Sequence, residues 1–360
     1  MLKINSTPEN NKAKEFCKAF LESKRPKYIF GRNDWAKSVT NIIDVDGFID
    51  EFTHDKEYLD KPIVPIEDIP NNAMVVSIVQ GKPFVAEKSM RRFQFDSLDY
   101  YAFFKYSNLP IKQVMFWEGM TEDIKINFSK YNWIYTLLKD KTSKNQFFNI
   151  INFRISYDLD YMRGFKNIED KQYFEDFLQL NPNGESFADI GAFDGYTTKE
   201  FIKRCPNYKK VFLFEPEEKN METAKNELMS AYNIQFFKLG LSDKKETLRF
   251  DVSGSSSKIS ENGALTIHVD KLDDLINEEV TFIKMDIEGY EQRAIKGAKK
   301  IIQKYHPRLA ISVYHKKDDF WKIPKLILNI RNDYNIYLRH YTEGISETIM
   351  FFIPYTKTDT

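Results

Sequence analysis

Cysteine is scarce in this chain. Its 360 residues hold two, Cys17 and Cys205, far apart in sequence, so neither a disulfide framework nor a thiolate metal site follows. An excess of one charge is absent as well. Lys plus Arg number 53 and Asp plus Glu number 53, which removes any general attraction to nucleic acid. No apolar run approaches the ~18 residues that a membrane-spanning helix needs. Met1–Asn10 is polar and lacks the basic-then-apolar order of a secretory leader, and this stretch is expected to fray. The expected setting is the reducing cytoplasm. Histidine is also rare, at five, so one at the end of an apolar run draws notice. Aromatic residues are what the chain has in plenty, at 15 %, with 30 Phe and 20 Tyr. They supply core material and, in part, a surface on which a sugar ring could stack.

The rest of the chain is organised around Phe187-Ala188-Asp189-Ile190-Gly191-Ala192-Phe193-Asp194-Gly195. Phe187 to Ile190 reads as a short buried strand, and an amphipathic pattern begins only after Gly195. Two glycines four apart close a tight turn between strand and helix. In open α/β sheets, ligands sit in such a place, beyond the carboxyl ends of the strands. The next apolar run, Val211 to Phe214, ends in Glu215-Pro216. An acid ending the second strand is placed to accept hydrogen bonds from two ribose hydroxyls. The turn lacks the third glycine of the dinucleotide fingerprint, and Asp189 sets a carboxylate just before it. That charge repels a pyrophosphate and attracts a sulfonium with a free amino group, which favours S-adenosylmethionine over NAD.

Three segments are expected. Residues 1–110 read as a smaller N-terminal Rossmann-like α/β unit. Lys12–Ser23 is its first helix, the strand at Tyr28 runs into Gly31, and the strand Gly47–Ile49 ends in Asp50. Pro62–Pro65 and Ala73–Val79 are read as its third and fourth strands. Asn33 and Ala36 occupy positions where phosphate-facing glycines would be needed, so no second nucleotide site is expected. Residues 111–165 form an aromatic-rich helical connector. In residues 166–360 strands and helices alternate, after a short helix carrying Tyr173, Phe174 and Phe177. A helix is read from Ile287 to Tyr305, and a serine-rich excursion, Ser253–Lys258, interrupts the order. Two strands around a polar turn, Tyr334–Arg339 and Thr348–Ile353, close the chain. An antiparallel hairpin closing a parallel sheet gives a seven-stranded, class I methyltransferase architecture.

These motifs, arriving in order, resemble the FkbM-type S-adenosylmethionine-dependent methyltransferases over roughly Tyr131 to Tyr355. The likeness rests on Asp189–Gly195, Phe214-Glu215-Pro216, Gly240-Leu241-Ser242-Asp243, Ile283–Glu291, Tyr314–Asp319 and Tyr337–Tyr341. The resemblance implies methylation of an oxygen, on a hydroxyl of a sugar or glycoconjugate, as in the tailoring of bacterial surface polysaccharides. It implies a cofactor loop of Asp189, Gly191, Ala192, Phe193, Asp194 and Gly195. It also implies Glu215 on the ribose, Ser242 and Asp243 beside the adenine, Asp286 in contact with the cofactor as well, and Asp286, Glu288 and His315 where the acceptor sits. The implied partners are S-adenosylmethionine and a small-molecule or glycan acceptor, with no nucleic acid and no membrane span. The oligomeric state stays open, a homodimer among the options.

Methyl transfer to a hydroxyl needs a base. His315 is the only histidine expected to end a central strand, and its ordinary pKa lies near neutrality. It is therefore expected to deprotonate the acceptor, with Asp286 assisting. Asp286 and Glu288 are alternatives as base, or as hard ligands for a cation such as Mg²⁺. No metal ligand set is read beyond that. Two other classes remain in view: an NAD-dependent sugar-nucleotide oxidoreductase, and a methyltransferase-fold partner without catalysis.

Overall fold

The computed structural model describes residues 1–5, 9–251, 258–259 and 265–355. Two sheets dominate them, one parallel and one mixed. The first joins β1 (Lys27–Phe30), β2 (Gly47–Ile49), β3 (Met74–Ser77) and β4 (Asp96–Asp99) in the order β2-β1-β3-β4, all parallel. The second joins β5 (Ser186–Ile190), β6 (Lys210–Phe214), β7 (Ile234–Phe237), β8 (Phe282–Met285), β9 (Arg308–Ser312), β10 (Tyr334–His340) and β11 (Thr348–Pro354). Its order is β10-β11-β9-β8-β5-β6-β7, and β11 runs antiparallel to both of its neighbours.

Burial explains why these stretches are strands. β5 and β8 are buried along their whole length, as strands covered on both faces must be, and they carry continuous apolar character around one charged residue each. Phe187 of β5 stacks on Phe282 of β8 at 5.0 Å between ring centroids, and on Phe201 of the following helix at 4.4 Å. β10, at the sheet edge, instead alternates. Tyr334, Ile336, Leu338 and His340 are buried and the residues between them are half-exposed.

One apolar cluster runs through the whole molecule. It takes Leu2, Phe20, Ile29 and Trp35 from the first unit, Phe147 and Phe153 from the helix Lys141–Ser156, and Ile190, Met285 and Phe352 from the large sheet. Of the N-terminal stretch expected to fray, Leu2 and Asn5 are tied down. Leu2 is 2 % exposed and its N–H donates to Asn132 Oδ1, while the Asn5 N–H donates to Asn152 Oδ1.

Other local readings also change. Pro62–Pro65 is not a sheet strand: Lys61–Pro62 pairs with Glu57–Tyr58, and Ile63 makes a single bridge to Phe48. The fourth strand is Asp96–Asp99, whose Asp-Ser-Leu-Asp sequence carries no apolar run. The Tyr173 segment forms the 3₁₀ turns Glu169–Lys171 and Asp176–Leu178 in place of a helix. The helix after β8 begins at Glu291 and breaks at Ala298. Of the serine-rich excursion, residues 253–257 lie outside the described residues. Among the described residues, no helix is long and apolar enough to cross a membrane.

Candidate functional site

The carboxyl ends of β5, β6 and β8 open onto a cavity of about 310 Å³. Gly191 ends β5 with φ +78°, and a Cβ there would lie 1.9 Å from Asp286 O. The glycine thus lets the β5 turn pass against the end of β8, a protein contact as much as a ligand clearance. The N–H groups of Gly191 and Ala192 both donate to Phe214 O at 3.0 Å, which fixes the turn to β6. Gly195, at φ +87°, packs on the helix Glu218–Glu227 and begins the helix Tyr196–Arg204.

Of the residues singled out from sequence, Gly191, Ala192, Phe193, Asp194, Glu215, Asp286 and Glu288 line the cavity. Glu215 is 6 % exposed; it accepts the Phe193 N–H at 3.0 Å on Oε2 and the Glu217 N–H at 2.9 Å on Oε1. Burial raises its pKa to about 7, against the pull of those amides. Both oxygens are oriented by backbone and retain lone pairs towards the cavity side.

Asp189, Gly195, Ser242, Asp243 and His315 do not line it. Asp189 is fully buried, accepts from Thr198 Oγ1 at 2.7 Å, and lies 3.2 Å from the buried Lys284 ammonium. Its charge is balanced inside the protein and does not face a sulfonium. Ser242 is fully buried, and Asp243 pairs with Arg293, whose hydrogen bond lowers the Asp243 pKa. The neighbouring wall is formed by Gly240 and Leu241, with Ile267 and Val269 from the strand Leu265–Asp270. The sequence signal for that face is the alternation of Ile267 and Val269 with polar Thr266 and His268.

Behind the cavity lies a set of acids around one imidazole. His315 Nδ1 stands 2.9 Å from Glu291 Oε1, and Nε2 stands 3.5 Å from Asp286 Oδ1 and 3.6 Å from Glu288 Oε2. Burial alone would push the His315 pKa down, but Glu291, Asp286 and Glu288 outweigh it and raise it to about 10. This weighs against His315 as a general base, because an imidazolium at neutral pH has no lone pair to take a proton. Glu288 changes in the opposite sense. Burial lifts its pKa to about 8, opposed by His315 and reinforced by Asp286, Glu291 and Glu347. Its backbone is held at φ +53°, a left-handed conformation unfavourable for a residue with a Cβ.

Three contributors are given no role in the chemistry from sequence: Tyr173 and Glu291 are named only within a short helix and a motif, and Glu347 not at all. The Tyr173 hydroxyl donates to Asp286 Oδ2 at 2.6 Å. Glu347, in the turn before β11, lines the cavity, accepts from Gln172 and from Tyr314 Oη at 3.2 Å, and has its pKa raised to about 7 by burial first and Asp286 next. Glu291 is fully buried and faces the imidazole. Asp286, Glu291 and His315 bring one ligand atom each within 4.8 Å of the others. The imidazolium already supplies the positive charge there, so the trio reads as an ion-pair cluster and the Mg²⁺ expectation has no support.

A seven-stranded sheet with this strand order, an antiparallel closing strand and a cavity at the carboxyl ends defines a methyltransferase-type α/β fold. Residues 189–342 match the model of the methyltransferase FkbM domain. That match supports an S-adenosylmethionine-dependent methyltransferase and speaks against the oxidoreductase reading. A methyltransferase FkbM from Methylobacillus flagellatus KT superimposes with a TM-score of 0.76 at 23 % identity, covering 95 % of this chain and 93 % of that one. At that identity the likeness is one of fold. An rRNA methylase from Streptococcus thermophilus, at 16 % identity, covers 51 % of this chain and 93 % of its own, with a TM-score of 0.35. No curated protein matches the sequence.

Proposed function

We propose that this protein transfers a methyl group to a hydroxyl of a sugar or glycoconjugate in the cytoplasm, with Glu288 as general base. One observation carries the reading: a single cavity joins Glu215, poised for a ribose, to Glu288, a carboxyl whose pKa sits close to the working pH. Its volume of about 310 Å³ falls within the range of pockets that enclose a small ligand.

S-adenosylmethionine, when bound, supplies an electrophilic methyl on a sulfonium. Glu215 would hold its ribose, the Gly191–Asp194 turn would border it, and Leu241, Ile267 and Val269 would form the apolar slot for its base. The protein's own part is acid–base and positional. Ionised Glu288 accepts the acceptor hydroxyl proton as the oxygen becomes a nucleophile. His315, held cationic by Glu291, balances the negative charge of Asp286 and Glu288 from behind. Tyr173 fixes the Asp286 carboxylate. Tyr173, Tyr196 and Tyr290 on the wall, beside Gln172 and Asn220, supply the ring faces and amides that sugars use, which supports a glycan acceptor. Tailoring of a surface polysaccharide is the biological setting that follows.

Turnover tests this. With radiolabelled cofactor and a bacterial glycan extract, Glu288→Gln should lower kcat by about 10²–10⁴ and leave S-adenosylhomocysteine affinity intact. The wild-type rate should rise with pH through about 8 and then level, as Glu288 ionises. Full activity in Glu288→Gln would overturn the assignment.

A further inference from the structure

A second cavity, of about 340 Å³, adjoins the first and shares Gln172, Tyr173, Tyr196, Thr197 and Glu347 with it. The rest of its wall comes from distant parts of the chain. Gly81 enters from the loop after β3 of the small sheet, and Asn167, Thr342 and Ser346 enter from segments flanking the large one. Hydrogen bonds fix that corner. Asn167 Nδ2 donates to Gly81 O at 3.0 Å, and the Glu343 N–H donates to Asn167 Oδ1 at 2.9 Å. Gly344 sits so close to the same loop that a Cβ would lie 2.4 Å from Gln80 O. The N-terminal unit, which shows no nucleotide site of its own among the described residues, here builds part of a wall one chamber away from Glu288.

The lining has a definite chemistry. Thr197, Thr342, Ser346, Asn167 and Gln172 offer hydroxyl and amide groups, and Phe174 and Tyr196 offer flat apolar faces. A ring with hydroxyls at its edge and C–H groups on its face matches that mixture. The charged residues on the wall are Glu200 and Glu347; among the described residues no Lys, Arg or His lines it. Lys203 and Arg204 pair with Glu200 but are not part of the wall, and Lys284 of the first cavity is paired with Asp189. An anion entering would lose water beside carboxylates and gain no cation, which is strongly unfavourable.

Resting on the methyl-transfer reading above, we infer that this second cavity is the acceptor chamber. It is closed in part by the N-terminal unit, and it takes an uncharged or amino-substituted polyol ring while rejecting uronate and phosphorylated rings. Specificity then comes from a wall that offers an anion no cation, as well as from hydrogen bonds.

The test uses the full chain saturated with S-adenosylhomocysteine and four probes, read by saturation-transfer NMR. Methyl glucopyranoside and methyl glucosaminide should bind, with methyl glucuronide and glucose 6-phosphate weaker by about tenfold or more. Gly81→Trp is the decisive variant, because a Cβ at Gly81 meets nothing within 4 Å and a side chain there grows into open space. It should weaken the neutral glycosides by about tenfold while leaving S-adenosylhomocysteine affinity unchanged. Ser346→Trp enters the chamber from the turn before β11 and should do the same. Anionic probes binding as well as neutral ones, or unaltered glycoside binding in both variants, would overturn the inference. Bound S-adenosylhomocysteine with no glycoside binding would overturn it alone, whereas failure of the wild type to bind S-adenosylhomocysteine would sink the underlying reading.

Discussion

The two main sheets of this protein carry the same plan at their carboxyl edges and use it in opposite ways. Each first strand runs into a glycine in a left-handed conformation, Gly31 at φ +107° and Gly191 at φ +78°. Each second strand is followed by an acid, Asp50 or Glu215. In the large sheet Glu215 is oriented by two backbone amides and faces a cavity. In the small sheet Asp50 receives the Arg32 guanidinium at 2.7 Å, and Arg32 reaches on to Asp55 at 2.8 Å. The helix starts differ as well. Asn33 Oδ1 accepts the N–H groups of Trp35 and Ala36, so the amides that would hold a phosphate are capped by the chain itself. Gly195 has no side chain to do this, and Asp194 Oδ1 accepts one amide there, that of Tyr196, at 3.0 Å. The comparison teaches that the same strand-edge plan leaves its acid facing a cavity in one sheet and fills it with the chain's own groups in the other.

The contrast is broken or kept most sharply by ligand affinity. Glu215→Ala should weaken S-adenosylhomocysteine by about ten- to a hundredfold, since hydrogen bonds to a charged acceptor contribute about 1.5–3 kcal/mol. Asp50→Ala should leave it unchanged, because among the described residues Asp50 bonds to Arg32 and to its own turn. Calorimetry on the two variants side by side decides the matter, and equal effects would abolish the distinction.

That distinction is legible in part in the amino-acid sequence. The large sheet can be read because strands buried on both faces must be apolar runs, and Val211–Phe214 and Phe282–Met285 are such runs. Glu215 can be read because its position follows from where β6 ends. Asp96–Asp99 cannot, as it forms the edge of a sheet and carries two acids, and only pairing with Met74–Ser77 makes it a strand. Glu347 and Tyr173 reach the site through contacts with residues more than a hundred positions away or from turns with no pattern of their own. For His315 the place is legible and the charge is not. Its position is local information, whereas its charge is set by three carboxylates from the turn after β8.

A smaller effect separates the two edges by pH. At the large edge the folded protein holds protons more tightly than the unfolded chain. Glu215, Glu347 and Glu288 rise from 4.5 to about 7, 7 and 8, and His315 from 6.5 to about 10. Stability from these groups is complete below their unfolded pKa values and is lost as pH climbs through the folded ones. At the small edge burial raises Asp99 at the end of β4 to about 6, whereas hydrogen bonds to Lys112 and Arg32 lower Asp34 and Asp55, so the contribution of those two is lost only as pH falls below 3.8. Buried His340, lowered to about 3, likewise matters only below 6.5. The melting temperature should therefore fall between about pH 6.5 and about pH 9, and Glu288→Gln should flatten the slope. A melting temperature that rises over that interval would contradict the charge states assigned to the cluster.

The smallest effect is expected from opening the filled edge of the small sheet. Arg32→Ala removes the guanidinium from Asp50 and Asp55 and from its place 5.5 Å from the centre of the Tyr58 ring. The pair is partly exposed to solvent, at 20 % for Arg32 and 16 % for Asp50, so the loss should stay within about 1 kcal/mol. Freeing the acid is only half of what a nucleotide needs. Asn33 would still cap the helix, and its Nδ2 would still donate to Ile78 O at 3.2 Å, holding the turn closed. Arg32→Ala should then melt within a few degrees of the wild type and gain no affinity for NAD, AMP or S-adenosylhomocysteine beyond the site already present. If the variant acquired a second binding event in calorimetry, the small sheet would be a masked nucleotide site kept shut by one arginine, and the comparison between the two edges would have to be redrawn.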